Sequence, residues 1–425
     1  MKIENIKAVT ETLDHGLTVT FVPMNEANSV TAMCAIKSGG RDDPDDKLGI
    51  AHLVEHMIYK GNKFFTYEQF NNEAGVRGII HNAWTGGRRI VHYMTGVSTE
   101  TEWIVRNLCR LVCTPTFPED ELERERTVVL NEFNFRRDRR DNAVYDNLRN
   151  VMFRDSDHQT MAVPTIGSEE CVKSITRDDL LRYHTVRYCL NNMHLYIGGN
   201  FNVNEVRRII VDEMTNSLPE GILHKHVEHR EVPMRFDVKE YHAEDNMCQI
   251  LFGWRIPGAL HRSIAHIMTD DIIEYALFNG PLSKFYNEIR EKAGLCYQCY
   301  GSFIRDADIG LCCAGGGTQI ENVKKFTALM RHEIEDFYYE TPYRKRLIAS
   351  ATKCLINTWR VKCDDVGTII ETVESLHRMT DNIITPADVI TYFERNGYDE
   401  HRLNDVVREF ADDPTECYIL QGDKI

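Results

Sequence analysis

Two repeated phrases constrain the fold of this chain more than any other feature of the sequence. Ile175-Thr-Arg-Asp-Asp-Leu-Leu-Arg-Tyr and Ile384-Thr-Pro-Ala-Asp-Val-Ile-Thr-Tyr carry isoleucine, threonine, aspartate and tyrosine at the same positions. Each phrase leads on to an apolar segment typical of a strand, at 193–199 and at 416–422. The repetition predicts two α+β halves of one duplicated plan, each of roughly 210 residues. Chance similarity between two short phrases is the alternative.

The order of the predicted elements recurs as well. In each half, strands lead to a helix, then to a strand pair and to long helices. Residues 216–235 contain proline, glycine and clustered histidine without any period, which predicts a linker. The predicted domains are therefore 1–215 and 236–425. The predicted helices lie at about 48–60, 66–75, 98–113, from 119 onward, 262–278, 320–339 and 342–360, and the strand pairs at 79–83 with 88–97 and 296–303 with 309–315.

Composition excludes several classes of function. Of the 425 residues, 42 % are hydrophobic and 27 % are charged, which is typical of a globular protein and excludes disorder over most of the chain. Fifty basic residues against 65 acidic ones give a net charge of −15. We expect no nucleic-acid partner, because binding to phosphates needs a basic face.

Targeting signals and cysteine usage bear on the compartment. No stretch approaches the run of 18 or more apolar residues that a membrane span needs, and the first residues are polar, so we expect neither a membrane partner nor a secretory signal. The 13 cysteines are odd in number and show no repeated framework, which favours buried or strand thiols in a reducing compartment. The spacing of Cys296-Tyr-Gln-Cys299 is that of a redox motif, but alternation along a strand is the preferred explanation. We therefore expect a cytoplasmic protein.

The segment His52-Leu-Val-Glu-His56 carries the sharpest chemical signal. Residues four apart lie on one face of a helix, so both imidazoles can reach one metal ion. Imidazole suits zinc, and a catalytic zinc takes three protein ligands and keeps one position for water. From its place between the histidines, the carboxylate of Glu55 can reach such a water. This is the inverted order of the zincin motif.

A third ligand is expected on another helix, and the acidic helix that opens at residue 119 offers two candidates. Glu125 and Glu132 are seven residues apart, or two turns, so they share a face. Val128, Val129 and Leu130 lie between them, and an acid in an apolar stretch is costly unless it is paired or bound to metal. A surface or ion-paired role for Glu132 is the alternative reading.

Here the sequence resembles the pitrilysin family of inverted-motif zinc peptidases, including its half-size bacterial members. The family pattern places the ligand glutamate 76 residues after the second histidine and another glutamate seven residues earlier, as Glu132 and Glu125 stand relative to His56. The flanking residues agree, and the family's N-A-x-T strand is matched by Asn82-Ala-Trp-Thr85. The resemblance covers nearly the whole chain. It implies an α+β fold of two homologous halves, each a largely antiparallel sheet covered by helices.

The resemblance also implies how a site would be assembled around one zinc ion per chain. Zinc would be bound by His52, His56 and Glu132, with Glu55 as the general base and Glu125 orienting a ligand from behind. An extended peptide substrate would add as a strand at the sheet edge near 82–85 and 88–91. The substrate-binding residues on that edge would be Asn82, Ala83, Trp84 and Thr85.

The second half of the chain contributes Arg290 and Tyr297. From local context, Arg290 is a surface arginine in the last turn of a helix. Members of the family carry an arginine and a tyrosine with this spacing of seven, facing the zinc from the other side of the chamber. The resemblance therefore assigns both residues to catalysis and substrate binding.

The function indicated is a zinc metalloendopeptidase that cleaves extended peptides in a clamshell chamber. Because family members with four such domains close on themselves, a chain with two implies a homodimer or a heterodimer with a related chain. One alternative is a dedicated maturation protease for a single precursor or leader peptide. Another, of a different class, is a non-catalytic peptide-binding or structural subunit of the same fold.

Overall fold

The computed structural model describes residues 3–154, 159–215, 217–218, 221, 246–259, 263–410 and 415–420. The predicted linker at 216–235 lies outside these residues except at 217–218 and 221, so the two domain boundaries stay predictions. Among the helices of the described residues, none is both long enough and apolar enough to cross a lipid bilayer.

Six strands of the first half form one sheet. They are β1 (Val9–Thr12), β2 (Thr18–Pro23), β3 (Ser29–Ile36), β4 (Ile80–Thr85), β5 (Ile90–Val97) and β6 (Met193–Gly199). Their order across the sheet is β1-β2-β6-β3-β5-β4. All neighbours are antiparallel except β2 and β6. The central strands β3 and β6 are almost wholly buried, and β4 forms one edge of the sheet.

Helices cover the first sheet, and local signals fix several of their ends. Thr66 caps the second helix and Thr176 the seventh, each through a reciprocal bond with the residue three positions on. Pro118 precedes the long acidic helix, which begins at Glu119 as predicted. The helices are α1 (Ile50–Ile58), α2 (Tyr67–Val76), α3 (Thr101–Cys113), α4 (Glu119–Asp138), α5 (Arg140–Phe153), α6 (Glu169–Ser174), α7 (Arg177–Arg187) and α8 (Val203–Ile210).

The second half has a smaller sheet of four strands, all antiparallel, in the order β10-β7-β9-β8. These are β7 (Met247–Pro257), β8 (Cys299–Arg305), β9 (Ile309–Gln319) and β10 (Thr415–Leu420). The helices are α9 (Ile264–Ile273), α10 (Val323–Tyr338), α11 (Pro342–Lys362), α12 (Val366–Thr380), α13 (Pro386–Asn396) and α14 (Glu400–Arg408). Two π-helical segments, Glu274–Asn279 and Phe285–Lys292, lie between α9 and β8.

The two sheets repeat one plan. The order β6-β3-β5-β4 of the first half corresponds strand for strand to β10-β7-β9-β8 of the second, with the same antiparallel pairings. The repeated phrases begin α7 and α13, where Thr176 and Thr385 each form a capping box with the aspartate three residues later. The predicted duplication and the fold class are therefore confirmed.

The halves pack against each other through helices and buried ion pairs. Helix α5 of the first half lies against β7 and β10, and α12 of the second half lies against β3 and β6. Arg41, before α1, binds Asp308 with both terminal nitrogens at 2.9 Å and Asp306 at 2.6 Å. Arg89 is buried against Glu374 of α12 at 3.2 Å. These ion pairs join the first half to the turn between β8 and β9 and to α12.

Two local predictions were wrong. Strand β5 lies between β3 and β4, so residues 88–91 offer no free sheet edge, whereas β4 at 80–85 is an edge strand. The strand predicted from 296 begins at Cys299, and residues 295–298 have no regular structure. The local pattern of apolar and polar residues does not distinguish an inner strand from an edge strand, because neighbours are decided by the order of the sheet.

Candidate active site

Helix α1 carries the histidine motif on its one accessible face. Every residue of α1 is buried except His52 and His56, which are partly exposed. The helix starts after Gly49, whose φ of 94° is costly for other residues and whose place would put a Cβ 2.5 Å from the Ile166 carbonyl oxygen. The carboxylate of Asp43 accepts bonds from the backbone nitrogens of Gly49 and Ala51. This anchoring aims both imidazoles at α4.

Three ligand atoms converge between α1 and α4. Oε2 of Glu132 lies 3.8 Å from Nε2 of His52 and 3.7 Å from Nε2 of His56. The ligand atoms of these three residues all lie within 4.8 Å of one another, and no other group of this kind occurs among the described residues. The structure thus brings together the three residues predicted to bind zinc.

The distances between Glu132 and the two histidines fit a shared metal ion better than direct hydrogen bonds. Hydrogen-bonded nitrogen and oxygen atoms are about 2.7–3.2 Å apart, closer than the pairs seen here. Two ligands of a tetrahedral zinc, each about 2.0–2.2 Å from the metal, lie about 3.4 Å apart. Two imidazoles and one carboxylate, with a fourth position left for water, form the donor set of a catalytic zinc. The residues present therefore fit this ion.

Glu125 holds one of the ligands in place. His56 donates a hydrogen bond through Nδ1 to Oε2 of Glu125 at 3.0 Å, which leaves its Nε2 toward the cluster. Lys60 contacts the other oxygen of Glu125 at 2.6 Å. Burial raises the pKa of Glu125, but the bonds to His56 and Lys60 outweigh it and lower that pKa. Glu125 is thus a carboxylate with a lowered pKa whose hydrogen bond fixes the orientation of the His56 ring.

The two histidines differ in their electrostatic surroundings. Burial, then the nearby His56 and Arg136, lower the pKa of His52 to about 3, so this ring is neutral and able to bind a metal. Burial also lowers the pKa of His56, but the hydrogen bond to Glu125 and the charges of Glu55, Glu125 and Glu132 outweigh it and raise that pKa. The site has an excess of negative charge around His56, which favours a bound cation.

Glu55 lies beside the cluster and has a neutral partner. Its Oε2 accepts a hydrogen bond of 2.6 Å from the hydroxyl of Thr85, the last residue of β4. Burial is the largest influence and raises the pKa of Glu55, while the Thr85 bond and His56 oppose this and Glu132 adds to it. A carboxylate with a raised pKa and a free oxygen suits a general base.

The four residues of the Asn82-Ala-Trp-Thr segment lie on edge strand β4, as predicted. The backbone of this strand pairs with β5 on one side, and among the described strands none pairs with its other side. Tyr59, after the end of α1, donates to the carbonyl of Asn82 at 2.8 Å. Trp84 packs against a hydrophobic cluster that contains residues of both halves. The strand next to Glu55 is thus held by the Tyr59 hydrogen bond and by the packing of Trp84.

Arg290 and Tyr297 are brought together by the second half. The guanidinium of Arg290 lies 5.4 Å from the ring centre of Tyr297 and 4.6 Å from that of Tyr286. Tyr297 is 86 % exposed and lines a cavity of about 600 Å³ with Asp141 and Tyr145 of α5. Within the described residues, no hydrogen bond or ion pair joins Arg290 or Tyr297 to the histidine cluster. Their predicted part in catalysis stays a prediction.

Glu132 is not buried in an apolar stretch, contrary to the expectation from the sequence. Its side chain is 47 % exposed, and Val128 beside it is equally exposed, so the apolar stretch does not bury this acid. Glu125 is the buried carboxylate of α4. Sequence reasoning also missed Lys60 and the bond from Thr85 to Glu55. Lys60 stands four residues after His56, and that spacing was the available signal.

The chain is similar in sequence to known zinc peptidases. Residues 19–165 match the profile described as "Insulinase (Peptidase family M16)", and residues 174–345 match "Peptidase M16 inactive domain". An "Uncharacterized zinc protease" of Rickettsia bellii is 26 % identical over 323 residues, covering 76 % of each chain. Mitochondrial-processing peptidase subunit beta of Neurospora crassa is 28 % identical over 214 residues, which are 50 % of this chain and 44 % of that one.

The fold is similar to that of solved structures as well. The crystal structure of a protease from Helicobacter pylori has a TM-score of 0.82 with this chain and covers 97 % of it and 98 % of its own length, at 18 % identity. The two family profiles together match most of the chain, at 19–165 and 174–345, and the chain belongs to peptidase family M16. The resemblance drawn from the sequence motifs is therefore confirmed.

Proposed function

We propose that this protein is a zinc-dependent endopeptidase that hydrolyses extended peptides. The observation that carries the proposal is the convergence of His52, His56 and Glu132 beside the carboxylate of Glu55. Relatives named zinc proteases support the same class.

The chain's own residues supply the acid–base chemistry. Zinc bound by His52, His56 and Glu132 would act as a Lewis acid toward the scissile carbonyl and would lower the pKa of a water molecule. Glu55 accepts the proton of the attacking water with the oxygen that Thr85 does not bond, and then passes it to the leaving amine. The Thr85 hydroxyl orients this carboxylate at 2.6 Å.

The β4 edge is the proposed binding surface for the substrate. A peptide that adds beside β4 pairs through its main chain, which gives affinity with little sequence preference. Because Thr85 ends β4 and bonds Glu55, such a peptide would pass next to the general base. The substrate would be extended there, since its main chain pairs with β4 as an added strand.

Arg290 and Tyr297 are proposed to bind the peptide from the opposite side. A phenol and a guanidinium are both hydrogen-bond donors, and donors stabilise the developing oxyanion. The 86 % exposure of Tyr297 supports this role, because its hydroxyl is available to a ligand.

We also propose that two chains, identical or related, close over the peptide. The support is the family resemblance of a chain with two such halves where others have four. Sedimentation with zinc present tests this, and a chain that is fully active as a monomer at high dilution would contradict it.

A peptide mixture tests the enzymatic proposal directly. The purified protein is incubated with the mixture, with and without a chelator, and products are identified by mass spectrometry. We expect cleavage that stops with chelator and returns with zinc, and no cleavage by Glu55→Gln.

Metal analysis of Glu132→Gln tests the third ligand, because full zinc with unchanged affinity would move this role to Glu125. A zinc-loaded protein that cleaves no peptide would favour the non-catalytic role.

A further inference from the structure

Helix α4 carries two exposed apolar side chains that take no part in the core. More than half of its 20 residues are charged. Val128 is 47 % exposed and Phe135 is 66 % exposed, and among the described residues neither belongs to a hydrophobic cluster. The other apolar residues of α4 are buried in the core of the first half or packed against it, and these are Leu122, Val129, Leu130 and Phe133. Single exposed apolar residues are common on protein surfaces, so the position of these two matters more than their exposure.

Val128 and Phe135, which together we call the α4 rim, stand on either side of a candidate metal ligand. Val128 is four residues before Glu132, and Phe135 is three residues after it. Such neighbours lie on one side of a helix, with Cβ atoms about 5–6 Å apart. The two rim residues are two turns, or about 10.5 Å, apart along the helix axis. The α4 rim therefore flanks the point where Glu132 meets His52 and His56.

Helix α4 also faces the proposed path of the peptide. Helix α1, which presents His52 and His56 on its accessible face, contacts both β4 and α4. On one side, the hydroxyl of Thr85 joins β4 to Glu55 of α1 at 2.6 Å. On the other side, Glu125 joins α4 to His56 at 3.0 Å. A peptide that lies beside β4 and reaches the metal ligands thus has α4 as its opposite wall.

The length of the α4 rim matches a short stretch of extended peptide. An extended chain advances about 3.3 Å per residue, so the distance from Val128 to Phe135 spans about three of its residues. Alternate side chains of such a peptide point to the same side and can meet one wall. Because Glu132 lies between the two rim residues, one of them meets the peptide before the scissile bond and the other meets it after that bond.

Charged residues next to the α4 rim already have partners. Arg124 pairs with Glu121 at 2.6 Å, and Arg136 pairs with Asp146 at 2.9 Å. An apolar side chain that covers the rim removes apolar area from water on both partners, which is favourable. A charged side chain in the same place would lose hydration without gaining a hydrogen bond from the rim. The rim therefore favours bulky apolar residues in the peptide.

We propose that Val128 and Phe135 determine cleavage specificity by binding bulky apolar side chains of the peptide on the two sides of the scissile bond. The substrate class is an extended peptide with residues such as leucine or phenylalanine near the cleaved bond. This inference rests on the proposed function, because that function places the peptide beside β4 and over the metal ligands. The contact changes the relative rates of competing peptides and leaves the metal site unaltered.

Competition between peptides measures this specificity. The zinc-loaded protein is incubated with an equimolar library of peptides of equal length, and mass spectrometry gives the cleaved bonds and their relative rates. We expect cleavage beside leucine, phenylalanine or methionine to be about tenfold faster than cleavage beside serine or asparagine, at the lower end of what an apolar contact contributes. Equal rates for apolar and polar residues on both sides of the cleaved bond would overturn the proposal.

Variants assign the preference to the α4 rim. Phe135→Ser should abolish the apolar preference on one side of the cleaved bond, and Val128→Ser should abolish it on the other side. The control is Val361→Ser, which changes a valine of α11 that is 71 % exposed and should keep the full pattern. Circular dichroism and metal analysis check folding and zinc. An unchanged pattern in both rim variants would overturn the proposal. A change in sedimentation without a change in specificity would do so too, because the rim would then be a contact between two chains.

A failure of the proposed function gives a different result. In that case the unaltered, zinc-loaded protein cleaves no peptide of the library, and fluorescence anisotropy of labelled peptides becomes the readout. Two peptides that differ only by exchange of leucine for serine are compared. Tighter binding of the leucine peptide that is lost in Phe135→Ser would support the α4 rim as an apolar binding surface. Equal binding of the two peptides by the unaltered protein would overturn it.

Discussion

Helices α1 and α9 occupy corresponding places in the two halves, and their sequences diverge at the residues that form the candidate active site in α1. Each helix follows the strand that holds the same position in its sheet, β3 or β7. Both begin Ile-Ala-His, at residues 50–52 and 264–266. From there Glu55 corresponds to Thr269, and His56 corresponds to Asp270.

The partners at the end of the neighbouring strand differ in the same way. In the first half, Thr85 ends β4 and offers Glu55 a neutral hydroxyl. In the second half, Arg305 ends β8 and binds Asp270, with one terminal nitrogen 2.8 Å from the carboxylate. Arg305 also contacts Glu409 at 2.9 Å, and its side chain is 2 % exposed. In the second half, the carboxylate of Asp270 is therefore paired with a buried arginine of the same half.

The comparison separates a structural cluster from a reactive one on a shared scaffold. A buried carboxylate matched by a guanidinium is satisfied and has nothing left to bind. A carboxylate beside two imidazoles and a hydroxyl retains free ligand atoms, which is the state expected of a functional site. The same plan thus holds the candidate active site in one half and a buried ion pair in the other.

The largest expected effect tests the reactive side of this comparison. Glu55→Gln keeps the volume and removes the basicity, so peptide hydrolysis should fall by about 10²–10⁴-fold while zinc is retained. Thr269→Ser, at the corresponding place in α9, should leave hydrolysis unchanged. Steady-state kinetics with metal analysis measures both variants. Hydrolysis by Glu55→Gln near the unaltered rate would remove Glu55 from the mechanism.

The second prediction tests the structural side. Asp270→Ala leaves the buried Arg305 charge without its bidentate partner and should destabilise the protein by about 3–5 kcal/mol. Glu55→Gln should cost less than about 1 kcal/mol, because only one bond to a hydroxyl changes. Urea denaturation followed by circular dichroism compares the two. Equal losses would mean that the halves do not differ in this respect.

The third prediction asks whether the second half reaches the chemistry at all. Tyr297→Phe removes one proposed oxyanion donor and should lower turnover by about 10²–10³-fold without loss of zinc or folding. Arg290→Ala should raise KM, since a cation that anchors main-chain carbonyls is lost. Tyr300→Phe, which lines the same cavity from β8, is the control and should remain active. If Tyr297→Phe and Arg290→Ala turn over the peptide as well as Tyr300→Phe does, the second half takes no part in the chemistry and only covers the site.

The smallest expected effect concerns the support behind the metal ligands. Glu125→Gln weakens the bond that orients His56 and should reduce zinc affinity by about 10–100-fold. Competition with a chelating dye measures this affinity. Glu123→Gln, on the same helix but paired with Arg126 at the surface, should bind zinc normally. A loss that is equal in both variants would indicate a general effect of charge on α4.

Much of the candidate site could be predicted from the sequence because its central residues are close together along the chain. His52, Glu55 and His56 share one helix, and helical geometry alone places the two imidazoles together. Helix starts can be read from the sequence for the same reason, because a capping box spans only four residues. The capping residues are Thr66, Thr176 and Thr385. The duplication was also visible, because it repeats the order of elements.

Contacts between distant segments could not be read in this way. The bond from Thr85 to Glu55 and the pairing of Asp270 with Arg305 both join a helix to the end of a strand. The exposure of Glu132 and the burial of Glu125 depend on how α4 packs, and two glutamates on one face look alike in sequence. Strand β8 starts three residues later than its pattern suggested, at Cys299.

The sequence by itself thus determined the candidate metal-binding residues and the two-part plan of this protein, since both follow from spacing along the chain. Only the tertiary structure decided which strand is a free edge and which acid is matched by an arginine. These outcomes depend on packing between elements far apart in sequence, where burial and charge act over distances that local periodicity does not encode.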